Sequence, residues 1–217
     1  MNKYSLIIPA GGTSTRYGSK NKLLELINNK TVIEITVSRF TKFNCINEII
    51  IPANAVIYEN LKNIFADNKC INIIKGGKTR QESVYNALQY ITNEYVLIHD
   101  AARPLVSEDI IKNVLETVIK KGAVTVMSKT TDTIKEVADD GKIIKTIDRE
   151  KLYNTQTPQA FKSSVIKQVH SKLAGKAYTD DSSMLEELEI PVYAVIGDSK
   201  NIKITTKSDL DFAKIYI

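Results

Sequence analysis

Short runs of aliphatic and β-branched residues recur along this chain at Tyr4 to Pro9, Glu48 to Pro52, Ile71 to Lys75, Tyr95 to His99 and Ala123 to Met127. Between them lie longer segments, among them Val32 to Phe40, Arg80 to Tyr90 and Glu108 to Lys120, whose apolar residues return at helical spacing. The first pattern suits strands buried on both faces, and the second suits helices with one apolar stripe. When helices alternate with strands, each crossover returns the chain to begin the next strand in the same direction. The alternation therefore predicts a mainly parallel sheet with helices on both faces, an α/β fold of the Rossmann-like, doubly wound kind. The 217 residues can bury the core such a fold needs. No internal repeat or low-complexity linker divides them, so one domain over residues 1–217 is expected.

The pattern changes after Met127. Thr130 to Val137 alternates, meets Asp139-Asp140-Gly141-Lys142, and resumes as Ile143 to Ile147. Asp-Gly between two alternating runs signals a hairpin whose favoured tight turn has positive φ at both central residues. A β-arm projecting at about residues 130–150 is expected. Beyond it the chain reads as a helical segment from Phe161 to Leu173, a strand near Val192 to Ile196, and a closing helix from Ser208.

Composition excludes several classes. With 43% hydrophobic and 25% charged residues, the chain is neither disordered nor fibrous. No apolar run approaches a membrane span. Leu6-Ile7-Ile8 is too short for the apolar region of a signal peptide, so a cytoplasmic location is expected. Cys45 and Cys70 have no Cys or His at metal-ligand spacing and read as free thiols. The net charge of +5 is dispersed among acidic residues, without the basic stripe and interleaved aromatics of a nucleic-acid surface. A phosphorylated small molecule is the better use for that charge, with no nucleic-acid or membrane partner.

The first strand runs into Gly11-Gly12-Thr13-Ser14-Thr15-Arg16-Tyr17-Gly18-Ser19-Lys20-Asn21-Lys22. Small residues at the carboxyl end of a strand let backbone N–H groups converge on an anion, in the place where open α/β sheets bind ligands. The spacing is neither Gly-x-Gly-x-x-Gly nor a Walker loop, which disfavours dinucleotide oxidoreductases and P-loop enzymes. A plain strand-to-helix connection also fits this segment. A second glycine pair, Gly76-Gly77, precedes Arg80 and Ser83 at the start of the next helix, where Ser83 suits either a ligand or a cap. The fourth strand ends in His99-Asp100-Ala101-Ala102-Arg103-Pro104, placing a carboxylate and a guanidinium just outside the sheet. Asp100 suits Mg²⁺, a hard cation held by few protein oxygens plus substrate phosphates. His99 reads as a packed strand-end residue.

Taken in order, Pro9-Ala10-Gly11-Gly12 with Arg16 and Lys22, Gly76-Gly77 with Arg80 and Ser83, His99 to Pro104, and Asp148-Arg149 through Gln156-Thr157-Pro158-Gln159 resemble the 2-C-methyl-D-erythritol 4-phosphate cytidylyltransferases of the non-mevalonate isoprenoid pathway. Thr179-Asp180-Asp181 with Glu186, and Asn201 to Thr206 with Asp209-Leu210, extend the resemblance to the C-terminus.

The resemblance implies an in-line attack of the acceptor's phosphate on the α-phosphorus of CTP, catalysed by positioning and preorganised positive charge. By it, Arg16 and Lys22 act on the α-phosphate. Ala10, Gly11, Gly12, Thr13, Ser14, Gly76, Arg80, Ser83, Asp100 and Ala101 bind CTP, and Asp100 holds Mg²⁺ or another divalent cation. The family dimerises through the β-arm, so a homodimer is implied, with Thr133 and Arg149 reaching the partner's acceptor. Arg149 is counted with the catalytic residues, its guanidinium offering a fork to phosphate. Arg103, Thr157, Thr179 and Lys203 complete the acceptor site. The chain departs from the family pattern at Gly11, Ser14, Asn21, Leu23 and Lys200; Asp198 is the alternative carboxylate where Lys200 replaces an acid. The ribitol-5-phosphate cytidylyltransferases share several of these motifs and give the alternative acceptor. A nucleotide-binding protein without catalysis is the alternative of another class.

Overall fold

The structure is a computed structural model that describes residues 2–12, 17–18 and 21–217. In chain order it runs β1 (Tyr4–Ile7), β2 (Leu26–Ile27), β3 (Lys30–Thr31), α1 (Val32–Thr41), β4 (Ile46–Ala53), α2 (Tyr58–Ile64), β5 (Ile71–Lys75), α3 (Arg80–Leu88), β6 (Tyr95–Ile98), α4 (Glu108–Lys121) and β7 (Ala123–Lys129). It continues with β8 (Ile134–Val137), β9 (Ile143–Ile147), β10 (Tyr153–Lys162), α5 (Ser163–Lys172), α6 (Asp181–Glu187), β11 (Tyr193–Ile196) and α7 (Lys207–Tyr216).

The central sheet has the order β5-β4-β1-β6-β10-β7-β11. The strands are parallel except β10, which runs antiparallel to both β6 and β7. Helices cover both faces, and strand pleating divides the apolar residues between them. Leu6, Ile8, Ile49, Ile51 and Leu97 join one core with α1, α4 and α7. Ile7, Ile50, Val96 and Ile98 join the other with α3, α5 and α6. The expected doubly wound, mainly parallel architecture is present. The order reverses direction between β1 and β6, the switch point where open α/β sheets leave a crevice beyond the strands' carboxyl ends.

Local signals set the helix ends. Thr31 caps α1 in a reciprocal capping box with Glu34, and Ser107 caps α4, which ends at Gly122 with φ 81°.

Two expectations are corrected. The segment from Phe161 to Leu173 is not wholly helical: Phe161 closes β10, and α5 starts at Ser163. β10 itself carries Gln156-Thr157-Pro158-Gln159, and proline disguises it, since proline seldom occurs within a central strand. The pairing with β7 shifts register between Thr155 and Gln159, so this motif forms an irregularity inside the sheet. The arm turn also differs from the tight two-residue form. Gly141 N–H donates to Ala138 C=O and Ala138 N–H to Lys142 C=O, making a three-residue loop in which Gly141 has φ 87° and Asp140 has no positive φ.

The arm pairs only β8 with β9, and its residues are largely exposed. Ile134, Val137, Ile143 and Ile144 present apolar side chains to solvent. A two-stranded hairpin has little stability of its own in water. Among the described residues, no helix is long and apolar enough to cross a membrane.

Candidate active site

Beyond the β1/β6 switch point, the loops after β1, β5 and β6 and the segment before α7 surround a cavity of ≈ 370 Å³. Gly11, Gly12, Lys22, Arg80, Asp100, Ala101 and Lys203, all singled out by the sequence, line it. Tyr17, Leu23 and Thr205 line it too; they lie in or beside the matching segments, but the sequence assigns none of them a site role. A second cavity of ≈ 240 Å³ is lined by Arg103, Thr157 and Thr179 together with Gln156, Gln159 and Asp180. Arg80, Asp100 and Lys203 line both and so form the boundary between them. Gly11, Gly12, Lys22 and Ala101 line only the first cavity and Arg103, Thr157 and Thr179 only the second, on opposite sides of one charged wall.

Three expected nucleotide residues support the loops instead of lining the cavity. Ala10 is buried and its N–H donates to Pro52 C=O at 2.8 Å. Gly76 N–H donates to Ala53 C=O at 2.7 Å. The buried Ser83 hydroxyl accepts from Gly77 N–H at 3.0 Å and donates to Thr79 C=O at 2.8 Å. A Cβ on Gly11 or Gly76 would lie 3.1 Å from Ser83 Oγ, tighter than an ordinary contact, so both glycine loops approach Ser83 closely. Thr79, not Ser83, caps α3.

The wall is an ion cluster around one carboxylate. Arg80 Nε donates to Asp100 Oδ1 at 3.3 Å, while Lys203 Nζ lies 2.9 Å and Arg103 Nε 3.6 Å from Oδ2. Burial alone would push the Asp100 carboxyl up, but Arg80, Lys203 and Arg103 outweigh it and hold the group far below the ordinary carboxylate range. Arg80 Nη1 also pairs with Asp181 Oδ2 at 2.8 Å, and Asp181 Oδ1 lies 3.0 Å from His170 Nε2. Asp181 and His170 are buried, and neither was marked as functional by the sequence.

Asp100 is positioned from behind by a chain of hydrogen bonds. Its N–H donates to Thr157 Oγ1 at 3.0 Å, and that hydroxyl faces His99 Nδ1 at 3.0 Å. His99 Nε2 faces Arg103 C=O at 3.1 Å. The carbonyl can only accept, so the proton sits on Nε2 and Nδ1 accepts from the hydroxyl. Burial lowers the His99 pKa to about 4, which keeps this neutral tautomer. Arg103 Nη1 donates to Asn201 C=O at 2.7 Å, and Asn201 Nδ2 donates to Thr157 C=O at 2.9 Å and Gln156 Oε1 at 3.1 Å. The Gln-Thr-Pro-Gln irregularity in β10 therefore connects both cavities to the sheet.

Lys22 opens a short 3₁₀ turn, Lys22–Leu24. Asn21 Oδ1 accepts from Leu23 N–H at 3.0 Å, and Leu23 is buried, so these two departures from the family pattern cap and anchor the turn that carries Lys22. Thr13, Ser14 and Arg16 lie outside the described residues. Thr133 and Arg149 are exposed on the arm and line neither cavity; Arg149 Nη1 donates to Thr131 C=O. Asp198 lines neither cavity and its carboxylate accepts from Lys200 N–H at 2.8 Å, while the Lys200 ammonium lies over the Tyr216 ring.

For a divalent cation, Asp100 fits: it is ionised, acceptor-only, and lines both cavities. Among the described residues no three His, Cys, Asp or Glu side chains gather as a metal cage. The other ligands would be phosphate oxygens and water, which is how Mg²⁺ is commonly held.

The model of the 2-C-methyl-D-erythritol 4-phosphate cytidylyltransferase family matches residues 4–217. The enzyme so named from Syntrophus aciditrophicus (strain SB) is 38% identical, over 99% of this chain and 96% of that protein. That from Bacillus thuringiensis (strain Al Hakam) is also 38% identical, over 99% and 97%. The crystal structure of 4-diphosphocytidyl-2C-methyl-D-erythritol synthase from Anaerococcus prevotii DSM 20548 superposes with TM-score 0.87 at 32% identity, covering 99% of this chain and 98% of that one.

Proposed function

Because this chain belongs to the 2-C-methyl-D-erythritol 4-phosphate cytidylyltransferase family, we propose that it transfers CMP from CTP to 2-C-methyl-D-erythritol 4-phosphate. The products are 4-diphosphocytidyl-2-C-methyl-D-erythritol, for non-mevalonate isoprenoid precursor synthesis, and pyrophosphate. The observation that carries this reading is the wall of Arg80, Asp100 and Lys203 shared by two adjoining cavities. A transferase must bring two anionic phosphates together, and each pair of unit like charges at about 4 Å repels by about 4 kcal/mol at an effective dielectric of about 20. Cations set at the boundary offset that repulsion before the substrates arrive.

CTP occupies the larger cavity, its phosphates against Gly11, Gly12 and Lys22. The acceptor occupies the smaller one, with its polar groups toward Arg103, Thr179 and Lys203. An acceptor phosphate oxygen bonds to the α-phosphorus as the bond from that phosphorus to the bridging oxygen breaks, and pyrophosphate carries away the electron pair. Lys22, with Arg16, stabilises the charge that grows on the α-phosphate oxygens. Asp100 would hold Mg²⁺, whose chemistry there is neutralisation of phosphate charge.

The arm completes the enzyme as a homodimer. The exposed Ile134, Val137, Ile143 and Ile144 support this, since pairing would bury them. In that dimer the partner's Thr133 and the partner's Arg149 serve the acceptor. Charged, phosphorylated substrates, which do not cross membranes unaided, support a cytoplasmic location.

Incubation with CTP, Mg²⁺ and either 2-C-methyl-D-erythritol 4-phosphate or ribitol 5-phosphate tests the reading. Pyrophosphate release with the first is expected. Release with ribitol 5-phosphate alone would reassign the acceptor, and CTP binding without turnover would make the chain a nucleotide-binding protein.

A further inference from the structure

The buried pair of Asp181 and His170 has no part in the transfer as derived above, yet it grips the residue that divides the two cavities. Arg80 is the first residue of α3 and Asp181 the first of α6, while His170 lies near the end of α5. The Asp181 side chain is 1% exposed, with Oδ2 on Arg80 Nη1 and Oδ1 on His170 Nε2. A carboxylate this deeply buried needs a donor on both oxygens. Because a carboxylate only accepts, His170 Nε2 carries the hydrogen, and His170 Nδ1 has no hydrogen-bond partner among the described residues.

We propose that His170 is a positioning residue for cytidylyl transfer, acting through Asp181 to hold Arg80 in the wall between the nucleotide and acceptor cavities; this rests on the function proposed above. The backbone at Asp181 is held independently of His170. Gln159 Oε1 accepts from Asp181 N–H at 3.1 Å and from Ser182 N–H at 3.2 Å. Loss of His170 therefore frees the Asp181 carboxylate rather than α6. The freed carboxylate can turn toward Arg80 with both oxygens and draw Nε away from Asp100, 3.3 Å distant. Removing a group that orients a ligand-binding residue costs function by about ten- to a hundredfold in comparable settings.

The test compares His170→Leu, which removes the donor, with His170→Gln, whose amide can reach the place of Nε2. For each, pyrophosphate release gives kcat and both KM values, calorimetry with Mg²⁺·CTP gives Kd, and urea unfolding reports the fold. His170→Leu should raise the CTP KM and Kd about tenfold or more, and His170→Gln should stay within about threefold of the parent. In an Arg80→Met background, His170→Leu should change nothing further. If His170→Leu does not fold, His170→Asn, too short to reach Asp181, replaces it. Unchanged constants in the donor-less variant, equal losses in the leucine and glutamine variants, or a full effect in the Arg80→Met background would each overturn the proposal. An unmodified enzyme that binds CTP but releases no pyrophosphate would sink the proposed reaction alone, leaving Kd to decide the role of His170. No CTP binding by the unmodified protein would overturn both.

Discussion

The Thr157 hydroxyl lies 3.0 Å from His99 Nδ1 and, at the same oxygen, accepts the N–H of Asp100 at 3.0 Å. One side chain on the antiparallel strand thus holds both residues that follow β6. Thr157→Val keeps the shape but leaves a buried N–H and a buried ring nitrogen without partners. Each such group costs about 1–3 kcal/mol. Urea unfolding should register a loss of that order, with Thr157→Ser near the parent. A valine variant as stable as the parent, changed only in acceptor KM, would mean that Thr157 instead contacts the acceptor directly.

The same geometry sets an acid limit. His99 has its pKa lowered by burial from 6.5 to about 4. Above pH 6.5 it is neutral in both folded and unfolded chains and adds no pH dependence. Between about 6.5 and 4 the unfolded chain binds a proton that the folded chain refuses, so stability is lost as the pH falls, at up to about 1.4 kcal/mol per unit. Asp100 and Asp181, whose pKa values are depressed from 3.8 by their cation partners against the opposing effect of burial, contribute only at lower pH. Unfolding free energies from pH 7 to 4.5 should show this slope, and His99→Asn should flatten it. A parallel slope in that variant would place the titration elsewhere.

Lys22→Ala should lower kcat by about a hundredfold or more while changing the CTP KM little, because the ammonium matters most as charge grows in the transition state. The 3₁₀ turn keeps its Asn21 cap and Leu23 anchor, so circular dichroism should not change. An unaltered kcat would remove Lys22 from the mechanism.

Arg149→Ala should raise the acceptor KM more than the CTP KM. If the arm serves the partner subunit, mixing Arg149→Ala with Lys22→Ala protein and allowing subunits to exchange should restore about a quarter of the activity, since half of the sites in mixed dimers are complete. Failure of the mixture to recover, with exchange verified by size and mass, would place Arg149 in its own subunit's site.

Much of this molecule is legible in local pattern. Aliphatic runs at Leu6-Ile7-Ile8 and Val96-Leu97-Ile98 announced strands buried on both faces, and the sheet has them side by side with residues split between two cores. Glycines after β1 and β5 announced loops where backbone must approach closely, and Gly11 and Gly76 do flank Ser83. Motif order alone carried the chain to its family. These features depend on near neighbours in sequence, whose spacing fixes which face a side chain takes.

What local pattern could not supply are relations between residues far apart in the chain. β10 hid behind Pro158, because its place depends on pairing with β6 and β7 rather than on propensity. The hold of Thr157 on His99 and Asp100, and the grip of Asp181 and His170 on Arg80, rest on separations of up to 101 residues. Such contacts form only when α3, α5 and α6 pack on one face of the sheet, and burial then makes each unpaired polar atom costly enough to dictate its partner.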